Sequence, residues 1–130
     1  MKNILQPNFP LYLLLFIVVS FGSCSNPQVP ESYTNLEESP AIYPDYRDVT
    51  IPFNLAPVNF MLTDSTVETA LARFTSADGL VYTTGAGLKV QIEETDWKKM
   101  LASSKGKDIK VEVFGKKSSG WVLYTPFLIH

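Results

Sequence analysis

The sequence contains one cysteine, Cys24, and one histidine, His130, in 130 residues. A single thiol cannot form an internal disulfide, and one imidazole argues against a Cys/His nucleophile pair or a histidine-rich metal site. No Gly-x-Ser-x-Gly stretch is present, and Gly85-Ala86-Gly87 lacks the strand and helix context that a phosphate-binding loop needs. Charge is sparse as well: 18% of residues are charged and the net charge is −2, with no basic stripe to hold nucleic acid. Carboxylates are the remaining candidates for chemistry. Of the cluster Glu93, Glu94 and Asp96, the first two read as opposite faces of one strand and Asp96 as a helix cap, so no acid/base pair faces a common substrate. These absences predict a protein that is not an enzyme and needs no metal or cofactor.

A long hydrophobic run is missing too. Leu11 to Val19 gives nine apolar residues, and the run ends by Phe21, short of the roughly 17 to 25 that a membrane-spanning helix needs. With Lys2 ahead of it and Gly22-Ser23 behind it, the segment reads as a removable signal peptide over residues 1–23. A buried core helix would have to start near residue 4 and then cross a proline-rich stretch, which its breakers disfavour.

The sequence FGSCSNP resembles the processing site of bacterial lipoproteins, although Phe21 stands where that class usually has an aliphatic residue. The resemblance implies that Cys24 carries lipid and becomes the first residue of the mature chain. Attachment would then be stable, because two or more acyl chains, at about 0.8 kcal/mol per buried CH₂, hold far better than one. It places the protein in the cell envelope, anchored to a membrane through Cys24, at the outer membrane or cell surface rather than the inner membrane.

What is there falls into two parts. Residues 24–47 hold Pro27, Pro30, Pro40 and Pro44 among Ser, Asn, Gln and Glu, with five acids against one base to Asp48. Too little apolar area is available there to offset conformational entropy, so a disordered tether is predicted, reaching up to roughly 60 Å from the lipid. Residues 48–130 turn to strands, with eight acids and nine bases from Val49 onward. VNFMLT and ALARFTS carry apolar residues, Ala77-Asp78-Gly79 signals a hairpin before LVYTT, and LKVQIEE and DIKVEVFG alternate, with Ile109, Val111 and Val113 inward and Lys110 and Glu112 outward. GWVLYTPFLIH follows the turn-rich 115–120. One helix of about two turns is expected near Trp97, Met100 and Leu101, capped by Thr95 or Asp96 and closed at Lys105-Gly106. The predicted fold is all-β: an immunoglobulin- or fibronectin-like sandwich with one short helix.

The blocks IYPDYRDVTIPFNLAPVNFML, Trp97 with Met100-Leu101, KGKDIKVEVFG and GWVLYTPFLI are similar to the N-terminal module of Bacteroidetes lipoproteins that carry TolB-like, WD40-like propeller repeats. This chain has no propeller repeat and no second cysteine, so neither propeller nor haem function carries over. TPFLIH reads as the middle of a strand, and the module is expected to continue past His130 in the family's usual form. The function predicted is a non-catalytic, membrane-anchored module that positions an envelope partner or a downstream propeller. The alternative is a glycan- or envelope-ligand-binding sandwich, with Trp97, Trp121 and Tyr124, together with Tyr82, as a stacking platform. Seven lysines from Lys98 to Lys117 read chiefly as solvation of a helix and two turns.

Overall fold

The computed structural model describes residues 27–130; the signal segment read over 1–23 and Cys24 lie outside the described residues. The elements in chain order are β1 (Thr34–Asn35), β2 (Ile42–Tyr43), β3 (Phe60–Leu62), β4 (Thr69–Thr75), β5 (Val81–Thr84), β6 (Lys89–Val90), α1 (Glu94–Ser103), β7 (Ile109–Lys117), β8 (Gly120–Leu123) and β9 (Phe127–Ile129). They form a mostly β domain of two sheets and one short helix. The larger sheet has six strands in the order β1-β8-β7-β4-β5, with β9 also paired to β7; the smaller is β2-β3-β6.

The alternating sequence of β7 explains its central place. Ile109, Val111 and Val113 all face the core, and over nine residues the strand pairs with β4 along one side and with β8 and β9 along the other. The inward faces of the two sheets meet in one cluster that includes Phe60, Leu62, Val90, Ala70, Ala72 and Phe74. Helix α1 closes it with Trp97 and Met100, the indole of Trp97 meeting Phe74 edge-on at 6.4 Å. The β4–β5 hairpin turns at Ser76–Leu80, where Gly79 takes φ +88°, a left-handed conformation that glycine adopts without steric cost. Gly85 answers a different need: a Cβ there would collide with the backbone carbonyl of Ala70.

Several elements differ from what the sequence predicts. GWVLYTPFLIH is not one strand. Leu123 lies opposite Phe114 and Phe127 opposite Val111, so Tyr124, Thr125 and Pro126 span the space of Glu112 and Val113. This is a β-bulge, and it accommodates a proline that could not donate to the ladder. LKVQIEE keeps strand pairing only at Lys89–Val90, and α1 starts at Glu94 with Glu93 at its N-cap and no side-chain cap from Thr95 or Asp96. Glu94 and Asp96 instead lie in the first turn, where negative charge offsets the helix dipole. At ten residues the helix is longer than two turns, and Ser104 is its C-cap, with Gly106 (φ +69°) two residues beyond.

The largest correction concerns residues 24–47, predicted as a disordered tether. From Val29 onward this segment is laid against the domain. β1 pairs parallel with β8, Leu36 N–H donates to Leu123 C=O at 2.8 Å, Thr125 N–H donates to Glu38 C=O at 2.9 Å, and β2 is an outer strand of the smaller sheet. The cause is on the outer face of the larger sheet. Leu71, Phe114 and Leu123 stand opposite one another across β4, β7 and β8 and form a second buried apolar cluster. Val29 packs on this row, and the Tyr33 ring meets Phe114 edge-on at 5.2 Å. Glu112 does point outward, as its alternation predicts, but it is only 6% exposed: Arg73 Nε lies 2.6 Å and Lys110 Nζ 3.3 Å from its carboxylate. Burial pushes the Glu112 carboxyl up, and the hydrogen bond and charge of Arg73, with Lys110, more than offset it, leaving its pKa below the ordinary value.

Because the strap is part of the fold, Tyr33→Ala should cost about 1–2 kcal/mol of stability, from the aromatic pair and the exposed row beneath it. Urea denaturation of the full chain measures it, and a change within about 0.3 kcal/mol is what a free tether would give.

Candidate functional site

Loop 50–55 is pinned at both ends and presents its middle. Ile51 N–H donates to His130 C=O at 2.8 Å, and Leu55 N–H closes a four-residue turn on Pro52 C=O at 3.1 Å, with Phe53 and Asn54 at the apex. Ile51 and Leu55 pack against the main core, and Trp97 Nε1 donates to Leu55 C=O at 2.9 Å. Phe53, held up by these neighbours and covered by none of them, is 74% exposed. The Lys105 ammonium lies 5.9 Å from its ring centroid, within cation–π range.

Helix α1 supplies the facing wall. Its inner side is spent on Trp97 and Met100, which turns Lys98, Leu101 and Ala102 toward Phe53. Two hollows open to solvent result, sharing Phe53, Leu101 and Lys105. One, of about 430 Å³, is bounded also by Asn54, Leu55, Lys98 and Ala102. The other, of about 270 Å³, runs between the loop, the helix end and β9, past Thr50, Ile51, Ser104 and Ile109 to His130. Ser104 is 5% exposed, and its Oγ has no hydrogen-bond partner among the described residues. A buried hydroxyl left in that state costs about 1–3 kcal/mol.

The charges around this groove are uneven. Lys98 pairs with Glu94 at 2.7 Å, Lys107 with Asp78 at 3.2 Å, and His130 Nδ1 lies 2.7 Å from Asp108 Oδ1. The hydrogen bond from Lys98 lowers the Glu94 carboxyl from its ordinary value. Lys105 has no ion-pair partner among the described residues, so the rim keeps a positive charge beside an apolar ring.

The aromatic residues singled out in the sequence do not converge. Trp97 and Tyr124 are each 1% exposed and belong to the main core, and half-buried Tyr82 packs against it. Trp121 is half-buried on the outer face of the larger sheet, next to the cluster of Leu71, Phe114 and Leu123. Trp97 and Tyr124 thus have almost no surface to offer a ligand. Glu93 and Glu94 lie at the helix start rather than on two faces of a strand. Among the described residues, no three His, Cys, Asp or Glu side chains are grouped to hold a metal ion, and no helix is long and apolar enough to cross a membrane. Sequence reasoning passed over Phe53. Its signal was the short run Pro52-Phe53-Asn54, turn-forming residues bracketing one large ring.

Tyr124 has a different role. Its hydroxyl donates to Asp64 Oδ2 at 2.6 Å, while the Thr66 hydroxyl donates to Oδ1 at 2.6 Å and Lys117 Nζ lies 3.3 Å away. These bonds, from Thr66 first and then Tyr124, hold the Asp64 carboxyl well below the usual range; burial, and then the bond to Asp64, push the Tyr124 phenol up. The knot ties the β3–β4 loop to the bulged edge.

Comparison with protein-family models, with curated proteins and with solved structures returns no match.

Asp64 and Glu112 both have folded pKa values below their unfolded ones of about 4, so their stabilisation is complete above roughly pH 5 and is lost as pH falls. Melting followed by circular dichroism should show the transition temperature dropping between about pH 5 and pH 2, and Asp64→Asn should lower it at pH 7 by on the order of 5 °C while flattening the acid limb. A variant as acid-sensitive as the parent would show that Asp64 does not contribute.

Proposed function

We propose that this protein is a non-catalytic, lipid-anchored module of the cell envelope, attached through Cys24, whose domain holds a partner protein close to the membrane. The observation that carries the reading is where the two faces of the larger sheet lead. On one face the strap from Val29 to Leu36 takes the chain back toward Cys24. On the other face packs α1, whose far side forms the Phe53 groove. Val29 is five residue steps from Cys24, at most roughly 18 Å of chain, in place of the roughly 60 Å that a free tether would allow. A lipid on Cys24 would therefore hold the domain close to the bilayer, with the groove on the opposite side of the sheet.

The sandwich itself is read as immunoglobulin-like, supported by two packed layers of largely antiparallel strands around one core. The resemblance to the leading module of Bacteroidetes propeller lipoproteins belongs to the same reading, as does the position at the outer membrane or cell surface. In such a setting the partner is an envelope protein or a propeller domain.

Labelled palmitate supplied to the producing cells should enter the full chain and be lost in Cys24→Ser, with the variant moving from the membrane to the soluble fraction. Labelling that survives the substitution would refute the anchor.

A further inference from the structure

We infer that the groove beside Phe53 binds a peptide segment of a partner protein in which apolar side chains alternate with carboxylates. The inference rests on the reading of the domain as an interaction module and names the chemistry of what it takes.

Phe53 is shared by both hollows of the groove. A phenyl ring that is 74% exposed gains little by folding, yet its loop is fixed by the Trp97 to Leu55 hydrogen bond and by Ile51 to His130. Pre-ordering a ring in this way removes an entropic cost that binding would otherwise meet. The ring is not isolated: Leu55, Leu101 and Ala102 extend it into an apolar wall along α1. A lone exposed apolar side chain needs no explanation; here the ring is one end of a continuous apolar wall with a cationic rim.

The shape selects among occupants. Pockets for small molecules cover most of the ligand's surface. Here both hollows lie open along one side and join at Phe53, so an occupant has to bring its own cover. A segment of protein does so, because the rest of the partner lies over it. Alternate side chains of an extended segment fall on the same face, so two neighbours on that face can straddle the Phe53 ring and enter the two hollows.

Charge selects the sequence. Lys98 and Lys107 are engaged only in exposed pairs, which exchange readily for a new carboxylate, and Lys105 has no ion-pair partner among the described residues. A cationic segment would meet Lys105, unpaired among the described residues, whereas the nearby carboxylates of Glu94, Asp78 and Asp108 already lie against Lys98, Lys107 and His130. An acidic one would neutralise Lys105.

The test is fluorescence anisotropy of two labelled probe peptides against the full chain in phosphatidylcholine nanodiscs. One probe carries the sequence Leu-Glu-Leu-Asp and the other Leu-Lys-Leu-Lys, with dodecanoate as a competitor. The acidic probe should bind at least about tenfold more tightly than the basic one and lose about tenfold with Phe53→Ser or Lys105→Glu, both of which change exposed residues and leave the circular dichroism melt in place. Equal binding of the two probes, no binding up to about 1 mM, or a site taken by dodecanoate and not by peptide would overturn the inference. Palmitate labelling reports on the anchor and anisotropy on the groove, so either reading can fail while the other stands.

Discussion

The row Leu71, Phe114 and Leu123 on the outer face of the larger sheet governs how the rest of the molecule is arranged. Three large apolar side chains, adjacent across three strands, lose on the order of 25 cal/mol for each Å² left facing water. Neither the smaller sheet nor the helix can cover them, because both are committed to the opposite face. Only the chain that precedes the strands remains, and Val29 and Tyr33 are set into it at the positions that reach the row. Once they dock, the backbone beside them follows: β1 joins β8, and the path through Leu36 and Glu38 seals the edge where the bulge interrupts β8 and β9. The same docking shortens the reach from Cys24, so a packing requirement on one face determines how near the bilayer a lipidated chain would stand.

The groove depends on a second commitment, that of Trp97. Its ring fills the space above Phe74, and its single donor is satisfied by the Leu55 carbonyl. One side chain thereby orders the core, the helix and the loop that displays Phe53. A residue with the look of a binding aromatic acts instead as the support for another aromatic that is exposed. Both walls of the groove are tied to the core, the loop through Leu55 and the helix through Trp97 and Leu101, and such anchoring lowers the ordering cost of binding.

How much of this was legible in the sequence follows from what each element contributes. The inward row Ile109, Val111 and Val113 and the hairpin at Ala77-Asp78-Gly79 could be read because their signals are local: a period of two, and a turn glycine with positive φ. The inner face of α1 was legible for the same reason, although its cap was not, since no side chain makes one. β1 and β2 were hidden. Two-residue strands carry no periodicity, and the strap adds backbone hydrogen bonds and a few isolated apolar residues, whereas composition weighs only the average. Pro126 in an apolar run was the available sign of a bulge. The groove could not be read at all from spacing, because Phe53, Leu101 and Ser104 meet only through the pairing of residues 48–51 with the last strand.

If Cys24 carries lipid, as proposed, the domain stands against the bilayer and not at the end of a long tether. Neutron reflectometry of the lipidated full chain on a supported bilayer measures this directly. The account predicts a protein layer separated from the headgroups by a solvent gap no wider than roughly 18 Å, the extended length of the chain between Cys24 and Val29. A gap of several tens of ångströms, toward the roughly 60 Å of a free segment, would contradict it.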